Sequence, residues 1–185
     1  MFILVSEYSL FIWMDKKEQI LVSALELFAN EGYKAVSTSK IAKAATVSEG
    51  LIFKHYKSKQ GLLEAILEHA YQRMGVLLVP IIVEREPKKV IRKYILLPFE
   101  IDTAEYQFWK LLFKLKWEIE YSSVQKMKPL IGKLTWAFAA LNYKEPEKEA
   151  EVLNHIIESV SGGILKDGLQ SQLVLKDFLL NKYNS

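Results

Sequence analysis

The feature that most constrains the fold of this 185-residue chain is the spacing of its apolar residues, which follows the period of an α-helix almost everywhere after the first 14 residues. In the first such segment Ile20, Ala24 and Phe28 fall on one helical face. The segment ends at Gly32, which suits a left-handed position after a helix, and Tyr33 is placed to fold back onto it. No run of alternating polar and apolar residues is flanked by turn signals. The spacing therefore predicts an all-α protein.

Two short helices and then a longer one are predicted next. The stretch Ser37–Ser39 offers N-cap residues for a short helix, KIAKAA, and Ser48 is placed to cap another over about residues 49–56. Ser58 can cap a longer amphipathic helix that continues to the apolar run before Pro80. Small residues at the contact of the two short helices predict a close crossing, as in a helix-turn-helix.

The remaining two thirds of the chain is predicted to form four or five longer helices. Pro87 lies at a helix start, and Pro98 is expected to interrupt that helix. The expected bounds are about 87–97, 103–121, 123–142, 146–168 and 173–183. The predicted fold is all-α, with an N-terminal helix-turn-helix head of three helices followed by a larger helical domain. The expected divisions are an N-terminal extension over 1–13, the head over 14–62 and the larger domain over 63–185.

Positive charge is concentrated on the predicted helix-turn-helix. Between Lys34 and Lys59 there are six lysines and one acidic residue, Glu49, so this segment carries +5 while the whole chain carries +3. Lysines grouped on a compact helix-turn-helix release counterions from a phosphate backbone when they bind nucleic acid. On charge alone, a solvated lysine-rich face is the alternative.

Catalytic and cofactor motifs are missing from the sequence. The chain has no Cys, which excludes disulfide scaffolds and thiolate metal ligands. His55, His69 and His155 lie on different predicted helices without metal-ligand spacing, no serine occupies a nucleophile elbow, and Gly162-Gly163 follows no strand. We therefore expect a protein that is not an enzyme and that has no cofactor and no metal site.

The apolar first 13 residues do not have the features of a signal peptide. They contain no Lys or Arg, carry Glu7 in the middle and end on Trp13. The stretch is also too short to span a bilayer. We expect the functional chain to start near Met14 and the first 13 residues to be an extension that is disordered or not native. A strand or helix packed on the body, or a membrane or partner contact, are the alternatives.

Residues 20–67 resemble the DNA-binding region of the TetR family of transcriptional regulators. The matching positions are Leu27-Phe28-Ala29 and Gly32-Tyr33 at the end of the first helix, Ile41-Ala42 and Ala45 on the second, Val47-Ser48 at the turn, Gly50, Phe53 and His55-Tyr56 on the third, and Ser58-Lys59 with Leu62-Leu63 beyond. The resemblance implies that the third helix is a recognition helix for the major groove of double-stranded DNA.

The resemblance also implies which residues contact DNA. The positions at which family members touch DNA are occupied here by Thr38, Ser39, Ser48, Glu49, Gly50, Leu51, Phe53, Lys54, His55 and Lys59. Thr38 and Lys59 start the flanking helices, where side chains and backbone N–H groups reach phosphates. Leu51 could equally be a core residue, Gly50 a site of close backbone approach, and His55 a capping or packing residue.

Two positions depart from the family pattern. Thr46 stands where the family usually has Gly, and a β-branched residue at a position that needs a positive φ is unfavourable, so we expect a turn of another shape. Phe53 stands where the family usually has a Tyr that donates its hydroxyl to phosphate. One hydrogen bond to a charged acceptor, of about 1.5–3 kcal/mol, is therefore lost there unless Tyr56 or Lys54 compensates.

The larger domain is expected to hold a ligand pocket for an apolar small-molecule effector. The predicted pocket residues are Tyr106, Trp109, Phe113, Trp117 and Trp136. Trp109, Phe113 and Trp117 are spaced by four and so share a helical face, although such a stripe also suits plain core packing. Polar residues that could orient a ligand, each expected more at the surface, are Glu100, Asp102, Glu118 and Asn142.

The last two predicted helices resemble in position the pair through which family members dimerise. The predicted dimer residues are Leu153, Ile156, Ile157, Val160, Ile164 and Phe178, with an intrachain core face as the alternative. The expected function is a ligand-responsive transcriptional regulator, a cytoplasmic repressor that binds a near-palindromic operator as a homodimer and does not act at a membrane. The alternative is a helical protein that binds a small molecule or a protein partner and no longer recognises DNA.

Overall fold

The computed structural model describes residues 15–118 and 124–183, with side chains for 15–115 and 127–183. Within these residues it contains nine α-helices, two short 3₁₀ turns and no strand, which confirms the all-α prediction. The helices are α1 (Lys16–Glu31), α2 (Thr38–Ala44), α3 (Glu49–Tyr56), α4 (Lys59–Ile82), α5 (Pro87–Glu100), α6 (Tyr106–Glu118), α7 (Val124–Ala140), α8 (Pro146–Asp167) and α9 (Leu173–Lys182). The predicted extension over 1–13 lies outside the described residues.

Local signals in the sequence set the ends of the first helices. The Asp15 carboxylate caps α1 by accepting from the Glu18 N–H at 2.8 Å. Gly32 ends the helix at φ +94°, and Tyr33 folds back so that its ring meets Phe28 edge to face, with centroids 5.2 Å apart. The side chain of Ser58 caps α4 by accepting from Gly61 N–H at 2.9 Å. The contacts at Gly32 and Ser58 agree with the sequence predictions.

The turn between α2 and α3 differs from the prediction. Thr46 adopts φ +51°, which is the left-handed conformation that glycine takes most easily. We expected the β-branched side chain to impose another shape, and that prediction is wrong. The neighbouring residues Ala45 and Ile41 are fully buried, so packing of the two helices holds Thr46 in the unfavourable conformation.

The core of the head extends beyond the helix-turn-helix. It is built on Phe28, Ile41 and Ile52, and it continues through Leu67 of α4, past the predicted boundary at residues 62 and 63. Leu111 and Leu115 of α6 are fully buried in the same cluster. Since α6 also packs against α8, this one helix contacts both parts of the chain.

Two helices continue through a proline at which we predicted an end. α4 includes Pro80 and runs to Ile82, and α5 includes Pro98 and runs to Glu100. A proline inside a helix removes one backbone hydrogen bond and lowers the stability of the helix by about 3 kcal/mol. Here Ile81, next to Pro80, and Pro98 are buried between helices, and the free energy of this burial offsets that loss.

The second core joins α4, α5, α7, α8 and α9, centred on Phe138, whose ring meets Tyr143 and Tyr183 edge to face. The segment predicted as one helix from residue 103 begins with a separate 3₁₀ turn over Thr103–Glu105. Asp102 caps the start of this turn by accepting from Ala104 N–H at 2.9 Å.

Candidate nucleic-acid interface and ligand cavity

α3 is held by one face and exposes the other. Ile52 and Tyr56 are buried, and the Tyr56 hydroxyl donates to the carbonyl oxygen of Lys17 on α1 at 2.7 Å. Burial, followed by the nearby carboxylates of Asp15 and Glu18, raises the pKa of Tyr56 to about 12, so the hydroxyl remains a donor at neutral pH. Most of the predicted DNA contacts are exposed: Ser39, Ser48, Glu49, Gly50, Phe53, Lys54 and His55.

A hydrogen bond joins the first turns of α2 and α3. The Thr38 hydroxyl donates to the Glu49 carboxylate, and both groups lie on the exposed side of the head. Glu49 is the first residue of α3, where the helix dipole favours an acidic side chain. The pair therefore fixes the orientation of the Glu49 carboxylate at the start of α3.

Ser48 occupies the N-cap position of α3 but makes no side-chain capping hydrogen bond. The position of Ser48 agrees with the sequence prediction, but the capping hydrogen bond is absent. Its exposed hydroxyl lies beside the first turn of α3, where the N–H groups at the start of a helix favour anions.

The remaining predicted DNA contacts differ in how far their side chains are buried. Leu51 is half-buried and packs against the head core, as the alternative reading allowed, whereas Phe53 is 44% exposed. The Lys59 ammonium lies over the ring of Tyr33 at 4.4 Å from the centroid and is 5.8 Å from that of Phe28. Lys59 therefore has a packing role as well as a charge.

Some of the positive charge of the head is neutralised within the chain. Lys40 forms an ion pair with Glu31 at the end of α1. Lys43, Lys54 and Lys57 are exposed. These exposed lysines therefore lie on α2, on α3 and in the turn that follows α3.

A cavity of about 150 Å³ lies among α4, α5, α6, α7 and α8. Of the predicted pocket residues, Tyr106, Trp109 and Phe113 line it. Trp136 does not, because it lies on an outer face of α7, 42% exposed, with the Lys133 ammonium 4.2 Å from the ring centroid. The side chain of Trp117 lies outside the described residues.

The polar residues of the cavity differ from those predicted. Glu100, Asp102 and Asn142 are exposed, and the side chain of Glu118 is outside the described residues. The cavity is lined instead by these polar residues: Tyr94, Asn154, Glu158 and Ser161. The last three recur at spacings of four and three on the otherwise apolar face of α8, and that periodicity is the sequence signal that could have found them.

The Tyr94 hydroxyl donates to Asn154 Oδ1 at 2.6 Å, joining α5 to α8 at the cavity wall. Burial, followed by the Glu158 carboxylate, raises the pKa of the Tyr94 hydroxyl. At neutral pH this hydroxyl is therefore protonated.

α6 lies between the cavity and the head. Trp109 and Phe113 line the cavity, while Leu111 and Leu115 are buried in the head core. The Lys114 ammonium donates to the carbonyl oxygen of Asn30 at the end of α1. α6 thus borders the cavity and also contacts α1, the helix on which α3 is held. A displacement of α6 at the cavity would therefore act on that contact.

Most of the residues predicted for a dimer interface are in the intrachain core. Leu153, Ile157, Val160 and Ile164 are at most 4% exposed, because α5 and α7 cover that face of α8. Ile156 is half-buried against the same core, and Phe178 is 59% exposed. Other exposed apolar residues of these two helices are Val152 on α8 and Val174 and Leu175 on α9.

In the part of the chain that the structure describes, no helix is both long enough and apolar enough to cross a membrane.

Residues 20–66 match the family described as bacterial regulatory proteins, tetR family. The uncharacterized HTH-type transcriptional regulator YvkB of Bacillus subtilis is 44% identical over 61 residues, which are 32% of each chain. The chain spans about a third of the length of the curated relatives that it matches first.

Solved structures extend the similarity to the whole fold. A TetR-like transcriptional regulator from Rhodococcus sp. RHA1 superimposes with a TM-score of 0.74 at 19% identity, covering 89% of this chain and 92% of that one. AibR, solved with isovaleryl coenzyme A and operator DNA, gives a TM-score of 0.62 at 19% identity, covering 82% and 86%. At such identity the likeness shows the fold alone.

Proposed function

We propose that this chain, whose residues 20–66 match the tetR family of bacterial regulatory proteins, is a ligand-responsive transcriptional repressor of the cytoplasm. It acts by binding double-stranded DNA and catalyses no reaction. The observation that carries the proposal is the exposed face of α3, presented on a buried scaffold and flanked by lysines. A recognition helix reads base edges with its first residues while flanking residues hold phosphates.

The proposed roles of the DNA-contacting residues follow from their positions in the head. Glu49, Gly50 and Phe53 face the bases, and Thr38 and Lys59 hold the backbone on either side. Ser39, Ser48, Leu51, Lys54 and His55 complete the proposed contact set. The charge of this segment supplies the sequence-independent part of the affinity.

The active form is proposed to be a homodimer on a near-palindromic operator. One recognition helix covers a half-site only, so a two-fold pair of heads is required for a full site. The exposed apolar residues of α8 and α9, among them Val152 and Phe178, suit this interface. The buried residues of α8 are excluded from it.

The cavity is proposed to bind a small-molecule effector with an apolar body. Because α6 borders both the cavity and the head core, an effector that prefers one position of α6 changes the DNA affinity of the head. AibR, which was solved with isovaleryl coenzyme A and operator DNA, shows that a protein of the same fold can hold both kinds of ligand.

Selection from a random pool of DNA duplexes, combined with sedimentation at micromolar concentration, tests the proposal. The expected result is a near-palindromic sequence bound by a dimer. Absence of a preferred sequence together with absence of salt-dependent retention on duplex DNA would favour the alternative, a helical protein that binds a small molecule or a protein partner without reading DNA.

A further inference from the structure

An open groove of about 330 Å³ lies where the head meets the larger domain, between the end of α1, α6 and the last turns of α8. Small-molecule sites in proteins span about 300–1,000 Å³, so the groove is large enough for a small ligand. We call it the basic groove after three side chains that line it: Lys110, Lys114 and Lys166.

The charged residues of the groove have one sign. Lys110 and Lys114 are half-buried one turn apart on α6, and Lys166 is exposed in the last turn of α8. No Asp or Glu is found among the described residues that line the groove. Ammonium groups at positions i and i+4 of one helix repel each other, and an anion bound between them offsets that repulsion. The groove therefore favours an anionic ligand.

The lysines approach the groove from two helices. The Lys114 ammonium donates to the carbonyl oxygen of Asn30 at the end of α1, which holds it at the groove and leaves its other N–H groups for a ligand. Lys110 belongs to the same helix and Lys166 to α8. A phosphate group, with several acceptor oxygens, can bind ammonium groups from both helices at once.

The groove also has an apolar wall. Phe113 and Leu165 line it and line the cavity as well, so these side chains separate the two spaces. Gly162 lies beside them, and a Cβ atom there would be 3.1 Å from the Phe113 ring. The absence of a side chain at residue 162 thus leaves room next to the ring for an apolar part of a ligand.

We propose that the basic groove is a second ligand site, which binds a small phosphate-bearing molecule through its three lysines, with any apolar part against Phe113 and Leu165. The site goes beyond the proposed function, because it is separate from the effector cavity and from the exposed face of α3. Since α1 belongs to the head and α6 and α8 to the larger domain, a ligand in the groove contacts both and stabilises their packing.

Titration of the full chain with inorganic pyrophosphate at constant ionic strength, followed by two-dimensional NMR, tests the site. We expect the amide signal of Gly162 to shift and to saturate. Lys110→Gln and Lys166→Gln should each weaken the affinity read from this signal by about tenfold, because each removes a charge-assisted hydrogen bond. Lys128→Gln, an equal change of charge at an exposed site on α7, should leave that affinity unchanged.

The titration of the unmodified chain stands even if a variant fails to fold. The proposal is overturned if the Gly162 signal does not move at millimolar pyrophosphate, whether or not the signal of Gly50 at the start of α3 moves. It is also overturned if folded Lys110→Gln and Lys166→Gln variants keep the full affinity. A lower salt dependence of duplex binding in Lys110→Gln would assign the groove lysines to DNA and overturn it too. Selection of the preferred DNA uses no pyrophosphate, so an unoccupied groove leaves the proposed function standing.

Discussion

Phe113 lies so close to the backbone of Gly162 that a Cβ atom at residue 162 would be 3.1 Å from Cε1 of the ring. The close approach of α6 and α8 therefore depends on a glycine. The same ring lines the cavity, so a side chain at residue 162 would displace part of the cavity wall.

Replacing this glycine tests the contact. Gly132→Ala, in α7, has no atom near the new methyl group and should raise the free energy of unfolding by about 0.5–1 kcal/mol, because alanine favours a helix. In Gly162→Ala the displacement of the Phe113 ring should cancel that gain in stability. Chemical denaturation of the two variants measures the difference. Equal stabilisation by the two variants would contradict the assigned packing.

Lys59 is expected to position the protein on DNA without reading sequence. Lys59→Ala should weaken binding to all duplexes about equally and flatten the salt dependence by about one unit. Because its ammonium lies over Tyr33, the variant should also lose about 0.5–1 kcal/mol of stability. Lys128→Ala, an exposed lysine on α7, is the control for charge and should leave the salt slope unchanged. A sequence-dependent effect of Lys59→Ala would refute the positioning role.

Glu49 is expected to determine base preference. Glu49→Ala should change the preferred base at one position of each half-site, by about 1–3 kcal/mol of discrimination, because a carboxylate accepts a hydrogen bond from cytosine. Leu51→Ala should also alter preference, but with a loss of stability since Leu51 packs against the head core. Repeated selection from the random pool measures the preference. Glu151→Ala, on α8, should yield the wild-type sequence, and the assignment fails if Glu49→Ala does so as well.

Thr46 holds a positive φ in the turn before α3, and glycine should relieve the strain. Thr46→Gly is expected to raise the free energy of unfolding by about 1 kcal/mol, because the left-handed conformation is unfavourable for a residue with a Cβ atom. Ala44→Gly, at the end of α2, should instead lower it by about 0.5–1 kcal/mol. Urea denaturation of the two variants checks the opposite signs, and a destabilised Thr46→Gly would mean that the threonine side chain supports the turn.

Phe178 is expected to lie in the dimer interface. Phe178→Glu should convert the dimer to monomer and abolish operator binding, because a charge would be buried between the chains. Val76→Glu introduces the same charge at an exposed apolar position on α4 and should leave the dimer intact. Sedimentation at a series of concentrations distinguishes them. A dimer that survives Phe178→Glu would move the interface away from the outer face of α9.

Sequence reasoning was most accurate where the signals are local. The caps at Ser37 and Ser58, the glycine at residue 32 and the bounds of α3 depend on a few neighbouring residues, and all agree with the structure. It failed at Pro98 and Thr46, where each residue disfavours the conformation that it adopts. In both cases burial of neighbouring residues outweighs a local preference of a few kcal/mol at most.

The sequence by itself determined the helical class, the helix-turn-helix and the aromatic helix that borders the cavity. Only the tertiary structure decided which apolar face of α8 is covered, because periodicity shows that Leu153 and Ile157 share a face but not what packs on it. α5 and α7 bury that face, which leaves Val152 and Phe178 outside. The cavity likewise depends on long-range packing, since Tyr94 and Glu158 come together only when α5 lies against α8.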